Sequence, residues 1–252
     1  MSFLNRKSMS SRRRPMAAIT VMAAALIVTG GGYAAATSVV SSSTSTSYTA
    51  EQVSEGRKLF LANCASCHGS NAEGTAAAPS LIGVGAAAAD FQVASGRMPG
   101  QASGPQLMKK KIQFTDEQVD ALAAYVGSLG PGPSVPTDAQ VAANGNAENG
   151  GELFRINCAM CHNAVGAGGA LTEGKYAPAL MGVPNDHIYE AMLTGPQNMP
   201  VFNDANLTPK DKKDIITYLK FVESNPSAGG YELAGLGPVA EGLFIWIIGL
   251  GV

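Results

Sequence analysis

Two five-residue stretches concentrate the residues able to do chemistry: Cys64-Ala65-Ser66-Cys67-His68 and Cys158-Ala159-Met160-Cys161-His162. Between them they hold all four cysteines and two of the three histidines. In a Cys-x-x-Cys-His run each thiol can add across a vinyl group of one haem, and the adjacent imidazole is then held beneath the ring as an iron ligand. A structural zinc site would need four ligands, and only His187 remains outside the two runs. A thioredoxin-like site would need a βαβ context, which this helix-and-loop sequence does not offer. Two runs therefore predict two covalently bound haem c groups, and no cysteine pair is left for a disulfide.

The iron ligands follow from the same stretches. His68 and His162 are the expected proximal ligands, and each ring needs an acceptor for its second nitrogen. The carbonyls of Pro79 and Pro178, which sit at similar places after the two motifs, are the candidates. On the opposite face the candidates are Met98 and Met199, because each precedes a proline and lies between its motif and a closing helix. Met108, Met181 and Met192 are rivals whose default reading is core packing. His187 could replace Met199, but with no counterpart in the first half it reads as a surface or partner-contacting residue. With His/Met ligation both irons are six-coordinate, the thioether raises the potential, and such centres pass single electrons without binding substrate.

The elements that must position these residues come in two copies. Gly56-Arg57-Lys58-Leu59-Phe60-Leu61-Ala62-Asn63 before the first motif reads against Gly150-Gly151-Glu152-Leu153-Phe154-Arg155-Ile156-Asn157 before the second, and Thr115/Thr208 and Tyr125/Tyr218 keep nearly the same offset. Each copy predicts a helix into the motif, a Gly-, Ala- and Pro-rich wrapping loop and a closing helix. Thr49 with Gln52 and Thr115 with Gln118 are capping-box signals. Thr208-Pro209 is a cap followed by proline at the first helical position. Val119, Leu122, Ala123, Val126 and Leu129 form the apolar face of one closing helix. Ile215, Ile216, Leu219 and Val222 do so in the other.

The predicted fold class is all-α, with two tandem domains at 51–130 and 148–225 joined by a semi-rigid, proline-bearing linker at 131–147. Arg6, Lys7, Arg12, Arg13 and Arg14 precede an apolar run from Met16 to Val28, so 1–40 reads as an export signal or signal anchor, although Gly30-Gly31-Gly32 would weaken a helix there. Residues 41–50 and 226–241 read as tethers. From Gly242 to Val252 every residue is uncharged, which predicts the start of a membrane helix that the sequence leaves incomplete. Overall there are 17 Lys and Arg against 19 Asp and Glu. Most of the positive charge near the start is confined to those five basic residues, so the tandem domains are acidic and not suited to nucleic acid.

The order of helix, haem motif, proline-bearing loop, methionine and closing helix resembles class I cytochrome c domains, over about 51–130 and 148–225. Taken whole, the chain resembles the di-haem cytochrome c subunit of the actinobacterial cytochrome bc complex, and Gly235-Leu236-Gly237-Pro238-Val239-Ala240-Glu241-Gly242 is similar to the approach to that family's membrane helix. The resemblance implies an electron-transfer subunit of a menaquinol:cytochrome c reductase. Its partners would be a cytochrome b subunit, a Rieske iron–sulfur subunit and a terminal cytochrome c oxidase, and its haem domains would lie on the extracytoplasmic side of the cell membrane. It also implies that the haem at Cys64, Cys67, His68 and Met98 receives electrons and that at Cys158, Cys161, His162 and Met199 delivers them. The competing readings are a free-standing di-haem carrier, the cytochrome subunit of a membrane dehydrogenase, and a di-haem peroxidase with one displaceable iron ligand.

Overall fold

Helix signals at 49–52, 115–118 and 208–209 each become a helix start in the computed structural model, which describes residues 13–41, 48–101, 104–225, 235 and 238–252. The basic segment 1–12 and most of the two expected tethers, at 42–47, 226–234 and 236–237, lie outside the described residues. The chain divides into two compact units, Met1–Ser45 and Thr46–Val252.

Among its described residues the first unit is one helix, α1 (Arg13–Ser41), which runs through Gly30-Gly31-Gly32, the place where the sequence alone predicts weakening. Its described side chains, residues 17–33, are all exposed. Among the described residues no helix is long and apolar enough to cross a membrane.

In the second unit the first repeat comprises α2 (Ala50–Asn63), α3 (Ala65–His68), α4 (Ala86–Ala94) and α5 (Asp116–Ser128). A short turn, α6 (Asp138–Val141), follows, and then the second repeat: α7 (Ala147–Asn157), α8 (Ala159–His162), α9 (Asn185–Thr194) and α10 (Pro209–Ser224). Thr49 and Thr115 accept from the N–H groups of Gln52 and Gln118, whose side chains reach back to the cap. Thr208 does the same with Asp211, and Pro209 opens α10. Each box satisfies backbone donors that a helix start leaves unpaired.

The closing helix of each repeat crosses the opening one: α5 packs on α2, and α10 on α7. The crossings are close because a glycine sits at each. A Cβ on Gly56 would run into the carbonyl of Ala121, and one on Gly150 into the carbonyl of Asp214. Beside each glycine an aromatic pair fills the angle, Phe60 with Tyr125 at 5.2 Å between ring centroids and Phe154 with Tyr218 at 5.5 Å. Burial on α5 extends beyond the expected stripe to Ala121, Ala124 and Tyr125, because α4 covers a second side of it.

The second repeat carries polar braces at its helix crossing. Asp214 accepts from the N–H of Asn146 at 2.7 Å, from the Asn149 amide at 2.8 Å and from Lys210. Burial works against its charge, but the Lys210 ammonium and the Asn146 N–H hold the carboxyl below the usual carboxylate range. Lys212 is fully buried, donating to Asp204 and to the Leu207 carbonyl, both at 2.7 Å. All-α is also not the whole description: the second wrapping loop contains a two-residue antiparallel ladder, β1 (Gly169–Ala170) with β2 (Tyr176–Ala177). At the end of the chain, α11 (Pro238–Phe244) passes into a π-turn over Ile245–Gly249, with Phe244 through Ile248 exposed. The stretch expected to start a membrane helix at 242–252 is thus helical over most of its length, but among the described residues no helix there is long and apolar enough to cross a membrane.

Candidate functional site

The two motifs fold alike. Cys64 ends α2, its N–H bonded to the Phe60 carbonyl, and its own carbonyl then accepts from Cys67 at 3.1 Å and His68 at 3.0 Å. Cys158 ends α7 through Phe154 and accepts from Cys161 at 3.1 Å and His162 at 2.9 Å. One tight turn therefore presents two thiols and an imidazole together. The chain then leaves the turn through positive φ at Gly69 and Asn163 and starts the wrapping loop.

Both imidazoles are buried, and both are oriented by the carbonyl expected from sequence. His68 Nδ1 lies 2.8 Å from the Pro79 oxygen, and His162 Nδ1 lies 2.9 Å from the Pro178 oxygen. A carbonyl can only accept, so Nδ1 carries the proton and donates it, which leaves the Nε2 lone pair for a metal. Burial, partly offset by that hydrogen bond, lowers the pKa of His162 and favours the neutral, ligating form.

All four cysteines are free thiols. Burial, with the neighbouring Cys67, pushes the Cys64 thiol up to about 11, and burial with Cys161 pushes Cys158 up to about 12. A catalytic dithiol has a depressed pKa, the opposite direction to that of Cys64 and Cys158. Unpaired thiols spaced on one turn beside a fixed imidazole with a free Nε2 fit a covalently attached haem c.

The structure separates the methionine candidates in the first repeat. Met98 packs into the cluster that holds Phe60, Cys64, Ala65 and Leu81, whereas Met108 is 59 % exposed. In the second repeat Met199 packs on the cluster of Phe154, Cys158 and Leu180, but Met181 and Met192 join the same cluster. His187 projects instead toward the first repeat, its ring edge-on to Phe91 at 6.0 Å.

The first half, residues 53–130, matches the family model described as cytochrome c, and residues 145–219 match that of the cbb3-type cytochrome c oxidase subunit III. The "Cytochrome bc1 complex cytochrome c subunit" of Corynebacterium efficiens is 48 % identical over 216 residues, covering 79 % of this chain and 73 % of its own length. This chain belongs to that family. The protein of the same name from Mycobacterium leprae is 48 % identical over 202 residues, 77 % of this chain and 70 % of its own. The cbb3-type cytochrome c oxidase subunit FixP of Sinorhizobium medicae shares 35 % over 121 residues, 44 % of this chain and 39 % of its own. As a member of the bc1 cytochrome c subunit family, the chain is a cytochrome with an electron-transfer role, and its two cytochrome c domains imply haem c.

Sequence reasoning missed the contacts that dock one cytochrome domain on the other. Gln106 donates from Nε2 to the Tyr176 carbonyl and accepts from the Tyr176 N–H, both at 2.9 Å, and Gln197 Oε1 accepts from Leu107 N–H at 3.2 Å. Glutamine in a loop carries no sequence signal for such pairing.

Proposed function

We propose that this chain is the di-haem subunit of a menaquinol-oxidising cytochrome bc complex, relaying single electrons from a Rieske iron–sulfur subunit to a terminal cytochrome c oxidase. The observation that carries this reading is the repeated motif turn with its buried, carbonyl-oriented histidine, in a chain 48 % identical to bc1 cytochrome c subunits. Cys64 and Cys67 anchor one haem c, and Cys158 and Cys161 a second. His68 and His162 ligate through Nε2, while the Pro79 and Pro178 carbonyls fix ring orientation and raise imidazole basicity. Met98 and Met199 supply the sixth ligands, and their thioethers raise the potentials. Haem c, when bound, supplies one-electron chemistry; the chain's own contribution is to exclude water and hold ligand geometry.

By this reading the first site faces the iron–sulfur donor and the second the oxidase. Residues 1–40, an export signal or signal anchor, and the apolar stretch 242–252 direct the chain to the cell membrane, with the cytochrome domains outside the cytoplasm. The cytochrome b subunit is the partner in the membrane.

The deciding experiment is extraction from the native membrane in mild detergent, followed by a reduced-minus-oxidised spectrum and addition of a menaquinol analogue. Co-purifying b-type haem, and c-type haem reduction blocked by a quinol-site inhibitor, are the expected results. If c-type haem appears alone and the quinol reduces nothing, the chain is a free-standing carrier or serves a dehydrogenase. A high-spin haem signal would favour a peroxidase.

A further inference from the structure

Where α4 of the first cytochrome domain meets α9 of the second, three potential metal ligands converge: Asp90 from α4, and His187 and Glu190 from α9. His187 and Glu190 are three residues apart, so they share one face of α9. One donor atom from each of the three residues lies within 4.8 Å of the others. Asp90 and Glu190 are buried, and His187 is half-buried. Glu190 is 0 % exposed, and neither of its carboxylate oxygens has a hydrogen-bond partner. A buried carboxylate without a donor is costly and is normally paired or bound to a metal. Facing it in the cluster are the His187 imidazole and the Asp90 carboxyl, which can relieve the charge only by sharing a proton.

We propose that Asp90, His187 and Glu190 bind one divalent transition-metal ion that ties the two cytochrome domains together. One imidazole nitrogen and two carboxylate oxygens match zinc, which takes His N and Asp/Glu O at about 2.0–2.2 Å. Magnesium and calcium prefer all-oxygen sites and are the poorer fit. A divalent ion balances the two carboxylate charges, and a water completes a tetrahedral set. Phe91 packs edge-on to the His187 ring, and the Arg97 guanidinium lies 4.9 Å over the Phe91 ring centre. None of the haem-motif residues takes part, so the site stands independently of the electron-transfer reading. Its effect is on geometry: a metal bridging α4 and α9 fixes the spacing of the two domains.

The test uses the haem-loaded full chain in detergent, stripped with a chelator and then dialysed against buffered zinc, with zinc and iron measured by elemental analysis. One zinc per chain is expected, undiminished by excess calcium or magnesium. Glu190→Gln, Asp90→Asn and His187→Gln should each weaken binding by more than about tenfold, since even outer partners of a metal ligand are worth 10–100-fold. The visible spectrum reports whether each variant folds, and any one folded variant suffices. Zinc should also slow amide exchange in α4 and α9 of the unaltered chain. The proposal is overturned if no stoichiometric zinc binds, if folded variants bind it as tightly, or if protection falls elsewhere. The two carboxyls would then share a proton instead.

Discussion

A Cys-x-x-Cys-His turn decides one face of an iron and leaves the other to a residue far along the chain. In the first domain Met98 shares its cluster with Cys64 while Met108 faces solvent. Met98→Ala should therefore lower the potential of one haem on the order of 100 mV or more, a fraction of the roughly 0.8 V range that axial ligands command. The other haem should stay near its original value, and Met108→Ala should move neither. A redox titration followed optically checks this, and two unchanged haems in Met98→Ala would sink the assignment. In the second domain burial does not decide, because Met181, Met192 and Met199 all pack into one cluster.

At the scale of elements, each domain depends on a helix crossing that a single methyl group would wedge open. Gly56 and Gly150 lie against backbone carbonyls of the closing helices, which cannot rotate away as a side chain can. Gly56→Ala and Gly150→Ala should each destabilise their own domain by about 3 kcal/mol, the upper end of overpacking costs, despite alanine's better helix propensity. Denaturant titration followed separately at the two haems should show only one domain affected in each variant. A change below about 0.5 kcal/mol would mean that the helices do not approach so closely. The Asp214 brace spans the second crossing; Ala121 stands at the corresponding place in the first, so the two domains are secured differently.

The whole molecule is organised by the docking of its two cytochrome domains. The linker takes part: Ala87 N–H donates to the Pro133 carbonyl, and the Gln140 amide reaches Tyr189. Gln106 pairs with both backbone groups of Tyr176 as a neighbouring strand would. Gln106→Ala should remove about 1–1.5 kcal/mol and speed exchange of the Tyr176 amide roughly tenfold, leaving the haem spectra unchanged. Unaltered exchange would show that the pair does not hold the domains together. A fixed docking matters for a relay, because separation between redox centres governs how readily an electron moves between them.

By itself the sequence determined the repeat, the haem motifs, the helix caps and even the proline carbonyls that orient His68 and His162. These are local or periodic features: a cap is written in four residues, a motif in five, and an amphipathic face in one helix. Only the tertiary structure decided which methionine packs on the Phe60 cluster, why Gly56 and Gly150 must be glycine, and where His187 points. Each depends on segments far apart in sequence that meet only once the helices cross. His187, without a counterpart in the first domain, reads from sequence as a surface or partner-contacting residue. Its ring instead meets Phe91, Asp90 and Glu190 at the junction of the two domains, because docking α9 on α4 brings together side chains about 100 residues apart that no spacing rule connects.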